Sequence, residues 1–247
     1  IAIAIESARA AGQASRFAVL DWDVHHGNGT EAIFYDRADV LTVSIHQDRN
    51  YPMDTGAFAD RGTGAGEGCN LNIPLPPNTS DEGFLYAIEQ VVLPILDEFA
   101  PQLIINSAGQ DNHFNDPITN MNFTAHGYAE LTSLLKPDIA VLEGGYSIEG
   151  ALPYVNLGII LSLAGMDYSR VTEPNYSPDK LHQPREIDRY IESLKDITLE
   201  NWQNRESLRE DALNGDEFAE RDKKIYYDTD GIMENQSELL RVCPDCS

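Results

Sequence analysis

The chain has 247 residues, 42% of them hydrophobic, which is enough for one sizeable core with an appendage. Seventeen basic residues against 41 acidic ones leave a formal net charge of −24, which speaks against nucleic acid as a direct partner and fits either cationic ligands or a merely solubilising acidic surface. No run approaches the roughly 20 apolar residues of a spanning helix, so no membrane partner is expected.

The opening "IAIAIESARAAG" patterns as a helix over residues 1–11 closed by Gly12. It carries no Met, basic flank or cleavage site of an export signal, and it reads as a helix entered midway, with the true start upstream. An apolar run predicts a strand over 16–22, followed by a helix over 29–35 and a second strand over 40–45. Residues 46–70 contain five glycines and no helical period, and a loop of that length in a compact domain is usually functional or disordered. "TSDE" then opens a helix over 81–99 as a capping box, and Pro94 is expected to kink it. A strand over 103–107, a helix over 124–135, a strand over 139–142 and a helix over 149–163 complete the alternation. That order implies an α/β fold, a parallel multistranded sheet with crossover helices.

Beyond Met166 the apolar runs shorten and Pro174, Pro178 and Pro184 interrupt the pattern. A boundary is therefore expected there, between a unit over 1–165 and an acidic, mainly helical extension over 166–247. Helices fit 185–196 and 199–224, and "YYDTDG" reads as a turn. Cys69, Cys243 and Cys246 are too few for a disulfide framework and suit a reducing, cytoplasmic setting. The terminal "CPDCS" is half of a zinc ribbon without its other half, so free thiols are the better reading.

In open parallel sheets, ligands sit outside the carboxyl ends of the strands, and the unusual residues cluster there. The first strand runs into "DWDVHHGNGT". In extended chain Asp21, Asp23 and His25 share one face while Trp22 and Val24 pack on the other. Carboxylate plus imidazole is a ligand set for zinc or another divalent ion; the alternative is that Asp23 or Asn28 merely caps the next helix. A third ligand should come from "NSAGQDNHFNDP", where Asp111, His113 and Asp116 compete. "LEGGYS" delivers Tyr146 to the same rim, where its hydroxyl could donate to a developing oxyanion beside a metal; the alternative is an ordinary half-buried aromatic.

Together, "DWDVHHGNGT", "SAGQD" followed by "DP", and "EGGYS" resemble the histone deacetylase family. The class II and bacterial relatives, which include acetylpolyamine amidohydrolases and acetoin-utilisation proteins, are nearest. The similarity covers roughly residues 1–164. The resemblance implies the arginase/deacetylase fold, here in part. It implies Asp23, His25 and Asp111 as ligands of Zn²⁺ or Fe²⁺, Tyr146 as the catalytic tyrosine, and Asp21 as the residue that orients a catalytic histidine. It further implies a structural potassium site at Asp21, Asp23, His25, Ser44 and Ile45, and a second monovalent-ion site near Phe34, Arg37 and Val40. Tyr51 of "NYP" matches an aromatic lining of the acyl-lysine channel, with Gly145 as a further substrate-binding position. His26 and Asn28 support the site.

The family's catalytic His-His pair lies in a "GHH" segment upstream of the helix that corresponds to residues 1–11. His25-His26 is not that pair, with His26 expected to be a buried scaffold residue. The residues around Asp111 depart from the usual pattern, which leaves His113 open as a rim group. His46, His126 and His182 read as structural or solvated. The resulting expectation is a piece of a metal-dependent deacetylase acting on acetyl-lysine or an acetylpolyamine, with negligible activity by itself. The rivals are a non-catalytic acyl-lysine or polyamine binder and a metal ureohydrolase on the same fold.

Overall fold

A computed structural model of the chain describes residues 1–213, 218–227 and 230–241. Helix α1 (Ala2–Ala10) leads into β1 (Phe17–Asp21), α2 (Asn28–Phe34), β2 (Val40–Gln47) and β3 (Asn70–Leu75). Then come α3 (Asp81–Ala87), α4 (Leu93–Phe99), β4 (Leu103–Ala108), α5 (Ala125–Leu135), β5 (Ile139–Leu142) and α6 (Leu152–Leu163). The first five strands form one parallel sheet in the order β3-β2-β1-β4-β5.

Period-two alternation decides which side each residue of β1 serves. Phe17 and Val19 join Ile5, Phe34, Val40 and Ile105 on one face, while Ala18, Leu20 and Trp22 join the larger core on the other. Both faces of β1 are therefore buried, as expected for a central parallel strand. Asp21 lies level with Ser44 of β2 and Ser107 of β4, so β1 and β4 end together at the carboxyl edge while β2 runs on to Gln47. That shared edge carries the site.

The sequence pattern leaves β3 unread. Asn70 and Asn72 alternate with Leu71 and Ile73, but Pro74 lacks the N–H of a central strand, and here the strand is at the edge. The helix expected over 81–99 is divided. A wider π turn (Ile88–Val92) separates α3 from α4, just ahead of Pro94, whose ring nitrogen cannot close the regular bond to the carbonyl four residues back. The capping box does not form. Ser80 takes the cap position without a side-chain bond, and Asp81 instead accepts from Thr124 N–H at 2.8 Å and its hydroxyl at 2.6 Å. Thr124 in turn caps α5 by accepting from Gly127 N–H.

Helix α7 (Arg185–Gln203) runs past the expected end at 196 because Leu194, Thr198 and Trp202 continue its buried stripe. Ile187, Ile191, Leu194 and Trp202 share the larger core with the sheet. Trp202 packs edge-on against Phe99 and its indole N–H donates to Glu98 at 2.8 Å. The helix expected over 199–224 breaks at Asn204. Residues 205–213 form α8 (Arg205–Leu213), and residues 218–224 belong to a strand, β6 (Phe218–Tyr227), which pairs antiparallel with β7 (Ile232–Arg241). Of the turn expected at "YYDTDG", residues 228 and 229 lie outside the described residues; Asp230 N–H donates to the Tyr227 carbonyl, and Gly231 is in the left-handed region at φ 63°. Cys243 and Cys246 lie outside the described residues. Among the described residues, no helix is long and apolar enough to cross a membrane.

A candidate metal centre at the carboxyl ends of the strands

Beyond β1 the chain bends at residues 23–25, yet Trp22 and Val24 stay fully buried in the larger core while Asp21, Asp23 and His25 line the cavity. Short local bonds hold this ladder: Asp21 Oδ1 accepts from Asp23 N–H at 3.0 Å, and Asp23 Oδ1 accepts from His25 N–H at 2.9 Å. Asp111 comes from the loop after β4, and its Oδ1 accepts from Val24 N–H at 2.8 Å. The preceding Gly109 permits that approach, since a Cβ there would lie 2.2 Å from Asp23 Oδ2.

One ligand atom each from Asp23, His25 and Asp111 lies within 4.8 Å of the others. His25 Nδ1 stands 2.8 Å from Asp23 Oδ1 and 3.1 Å from Asp111 Oδ2, yet a ring nitrogen has one proton for the two oxygens. Asp111 Oδ2 is buried and makes no hydrogen bond. Burial opposes charge on His25, but the carboxylates of Asp111 and Asp23 outweigh it and push the imidazole up to about 10. Burial raises the Asp111 carboxyl, whereas at Asp23 the bonds from His25 and Gly144 overcome burial and lower it. A proton on His25 thus sits where one cation is wanted by three converging donors. Two carboxylates and an imidazole fit Zn²⁺ or Fe²⁺, with coordination positions left over for solvent or substrate.

The loop after β5 closes over this point. Gly144 N–H donates to Asp23 Oδ2 at 2.8 Å, and its carbonyl accepts from Gln110 N–H at 2.7 Å. A Cβ at Gly144 would fall 2.1 Å from Asp111 Oδ2, and Gly145 holds φ +143°. The next residue, Tyr146, is 51% exposed and lines a cavity of about 460 Å³ together with Asp21, Asp23, His25, Tyr51 and Glu143. Partial burial and the carboxylates of Asp111, Asp23 and Asp116 raise the Tyr146 phenol, so it stays a hydrogen-bond donor at neutral pH. Asp21 is nearly buried, and desolvation followed by the neighbouring Asp23 lifts its carboxyl well above the usual range.

The supporting residues tie the long loop to the ligand segment. His26 is buried between Thr55 Oγ1 at 2.9 Å and Glu31 Oε2 at 3.2 Å, and its N–H donates to the Tyr51 carbonyl. The Tyr51 ring meets His25 edge-on at 6.0 Å. Asn28 opens α2 behind the Gly27 cap, and no side chain, Asp23 included, caps that helix. Ser44 Oγ accepts from Gly27 N–H and pairs with His46 Nδ1 at 3.0 Å. His46 is interior, and burial holds its imidazole down at about 3. Ile45 is a core residue of β2 one position from Ser44, while Phe34, Arg37 and Val40 gather at the opposite end of β2, where Arg37 N–H donates to the Phe34 carbonyl. His126 packs on Tyr168, and His182 is exposed.

Of the competitors for the third position, only Asp111 reaches the triad. His113 is fully buried, accepts from Asn115 N–H at Nδ1, and faces Glu173 at 3.3 Å through Nε2. Asp116 turns to the backbone of Tyr146. Glu143, which lines the cavity, and Gln110, which braces Gly144, escape a reading based on ligand types, although both lie inside the two motifs that carry the site.

Residues 1–156 match the family model described as the histone deacetylase domain. A probable deacetylase of Archaeoglobus fulgidus is 48% identical over 202 residues, covering 76% of this chain and 56% of that protein. A histone deacetylase-like amidohydrolase of Pseudomonas aeruginosa is 40% identical over 193 residues, covering 74% of this chain and 50% of that protein. The crystal structure of an acetylpolyamine aminohydrolase from Burkholderia pseudomallei superposes with a TM-score of 0.58 at 38% identity, covering 66% of this chain and 47% of the other. The chain spans about half the length of the curated relatives it matches.

Proposed function

The chain belongs to the histone deacetylase family, and on that footing we propose that it contributes the metal site and catalytic tyrosine of a zinc-dependent deacetylase, an amidohydrolase of acetyl-lysine or acetylpolyamines. The observation that carries this reading is the convergence of Asp23, His25 and Asp111 on one point beside Tyr146. A bound Zn²⁺ or Fe²⁺ supplies Lewis acidity toward an amide carbonyl and lowers the pKa of water. The Tyr146 hydroxyl, neutral at working pH, donates a hydrogen bond to the oxygen that gains charge. Tyr51 offers its ring to the aliphatic stem of the substrate, and Gly145, where a Cβ would meet Leu152 at 2.7 Å, lets the backbone pass close to that side chain as it delivers Tyr146. The net charge of −24 favours a cationic substrate. Potassium is proposed at the Asp21–Ser44 strand ends, and a cytoplasmic setting suits the free thiol of Cys69.

Amide hydrolysis also needs a base for water and an acid for the leaving amine. Among the described residues, the imidazoles near the cavity are engaged: His25 with the carboxylates, His26 with Thr55 and Glu31, His46 with Gly56 and Ser44. We therefore propose that the proton-transfer histidines come from sequence outside these 247 residues, with Asp21 orienting one of them.

The experiment compares this chain with one extended upstream through a His-His segment, both zinc-loaded, on an acetyl-lysine peptide. The extended protein should exceed the present chain in kcat/KM by about 100-fold to 10,000-fold. In it, Tyr146→Phe should keep zinc while losing about 100-fold to 1,000-fold in kcat. Binding of the peptide by both proteins without turnover by either would favour the non-catalytic binder instead.

A further inference from the structure

We propose that Asp116 is the positioning residue of Tyr146, its buried carboxylate anchoring the backbone from which the phenol enters the cavity. This rests on the role proposed above for Tyr146.

The chain neighbours of Tyr146 are tied down, Gly144 to Asp23 and Gln110, and Ser147 by its carbonyl to the N–H groups of Ala151 and Leu152, but Tyr146 itself is held less directly. It lies in no helix or strand, its side chain is half exposed, and it follows two glycines, the second at φ +143°. Such a segment has many accessible conformations, and a half-exposed ring has too few neighbours to choose among them by packing. What fixes it is a bond from its own N–H to Asp116 Oδ2 at 2.8 Å. Asp116 is only 6% exposed, so this bond is made away from competing water.

Asp116 is itself held on both sides. Its Oδ1 accepts from Ile118 N–H at 3.1 Å, and its N–H donates to the His113 carbonyl at 2.8 Å. These ties lie in the loop that also carries Asp111, whose carbonyl accepts from the Thr119 hydroxyl at 2.6 Å. One loop thus presents a proposed metal ligand and the anchor of the proposed oxyanion donor, which sets the distance between them. Both oxygens of Asp116 are engaged by backbone N–H groups, which explains why it does not compete with Asp111. Asparagine cannot substitute, since its amide group would set a donor against one of those two N–H groups. Displacements of about 1 Å at such positions can cost about 100-fold in rate.

The test is amide hydrogen exchange on this chain, read residue by residue by NMR. In the wild type the Tyr146 amide should be protected despite lying outside regular structure. Asp116→Asn and Asp116→Ala should speed its exchange at least about ten-fold, while Ile105 and Asn106 in β4 keep theirs. A freely exchanging Tyr146 amide in the wild type overturns the proposal whether or not either variant folds, and so does unchanged exchange in a variant whose β4 stays protected. A second reading uses Co²⁺-loaded protein, in which the paramagnetic shifts of the Tyr146 ring should move in Asp116→Asn while cobalt stoichiometry holds. Unmoved ring shifts overturn the proposal. Failure of the wild type to take up cobalt counts against the metal reading alone, and amide exchange then decides for Asp116.

Discussion

Gly144 N–H donates to Asp23 Oδ2 at 2.8 Å, joining the loop after β5 to the segment after β1 across 121 residues of sequence. The bond needs a glycine, because the position where a Cβ would stand is occupied by carboxylate oxygens, Asp111 Oδ2 at 2.1 Å and Asp23 Oδ2 at 2.6 Å. The cover of the site and its proposed ligands are therefore one unit.

Gly144→Ala should disrupt that unit. An added methyl must displace both carboxylates or the loop, so zinc affinity should fall at least about ten-fold, the lower end of what disturbing a metal's supporting contacts costs. Calorimetric titration with zinc measures it. Affinity equal to wild type would mean that the loop does not rest on the carboxylates in solution.

Asp81 gives a pH-dependent expectation. Burial raises its carboxyl to about 6 despite the bonds from Thr124. A folded-state pKa above the unfolded one favours the fold at low pH, and that contribution disappears as pH rises through about 6. Asp81→Asn removes the titration. Its stability relative to wild type, from urea midpoints, should thus rise between pH 4 and pH 7 by up to about 3 kcal/mol, roughly two pKa units. A constant difference across that range would contradict the assignment.

Trp202 tests how far the chain beyond Met166 belongs to the core. It is 3% exposed, packs on Phe99, and carries the guanidinium of Arg205 at 3.9 Å over its ring. Trp202→Ala should cost about 3 to 5 kcal/mol, the usual range for emptying a buried aromatic site. Tertiary signals from the sheet should shift together with helix signals in one transition. Loss confined to helix content, with the sheet unmoved, would mean that α7 docks as a separate element.

The legible parts of this molecule are those where a residue's partners are close in sequence or its strand is buried on both sides. The alternation of Asp21, Asp23 and His25 with Trp22 and Val24 announces both the end of β1 and the face that carries the proposed ligands. The motif "SAGQD" points to the same place, since Gly109, where a Cβ would lie 2.2 Å from Asp23 Oδ2, lets the loop after β4 approach Asp23. Edge strand β3 hides behind Pro74 and its two asparagines, whose side chains serve Glu31 rather than solvent. "TSDE" misleads because Asp81 spends its carboxylate on a helix start 43 residues away. His113 and Asp116 resemble ligands in sequence, and only the three-dimensional arrangement shows one against Glu173 and the other beneath Tyr146. The hairpin of β6 and β7 is obscured by charges that suit an amphipathic helix equally well.

The most direct test of the metal site is zinc stoichiometry, by elemental analysis after dialysis, in the wild type, Asp111→Ala and His113→Ala, each checked for cooperative unfolding. One zinc per wild-type chain, loss in Asp111→Ala and retention in His113→Ala is the expected pattern, because Asp111 Oδ2 faces His25 Nδ1 while His113 is turned to Glu173. Zinc retained in a folded Asp111→Ala and lost in His113→Ala would contradict it.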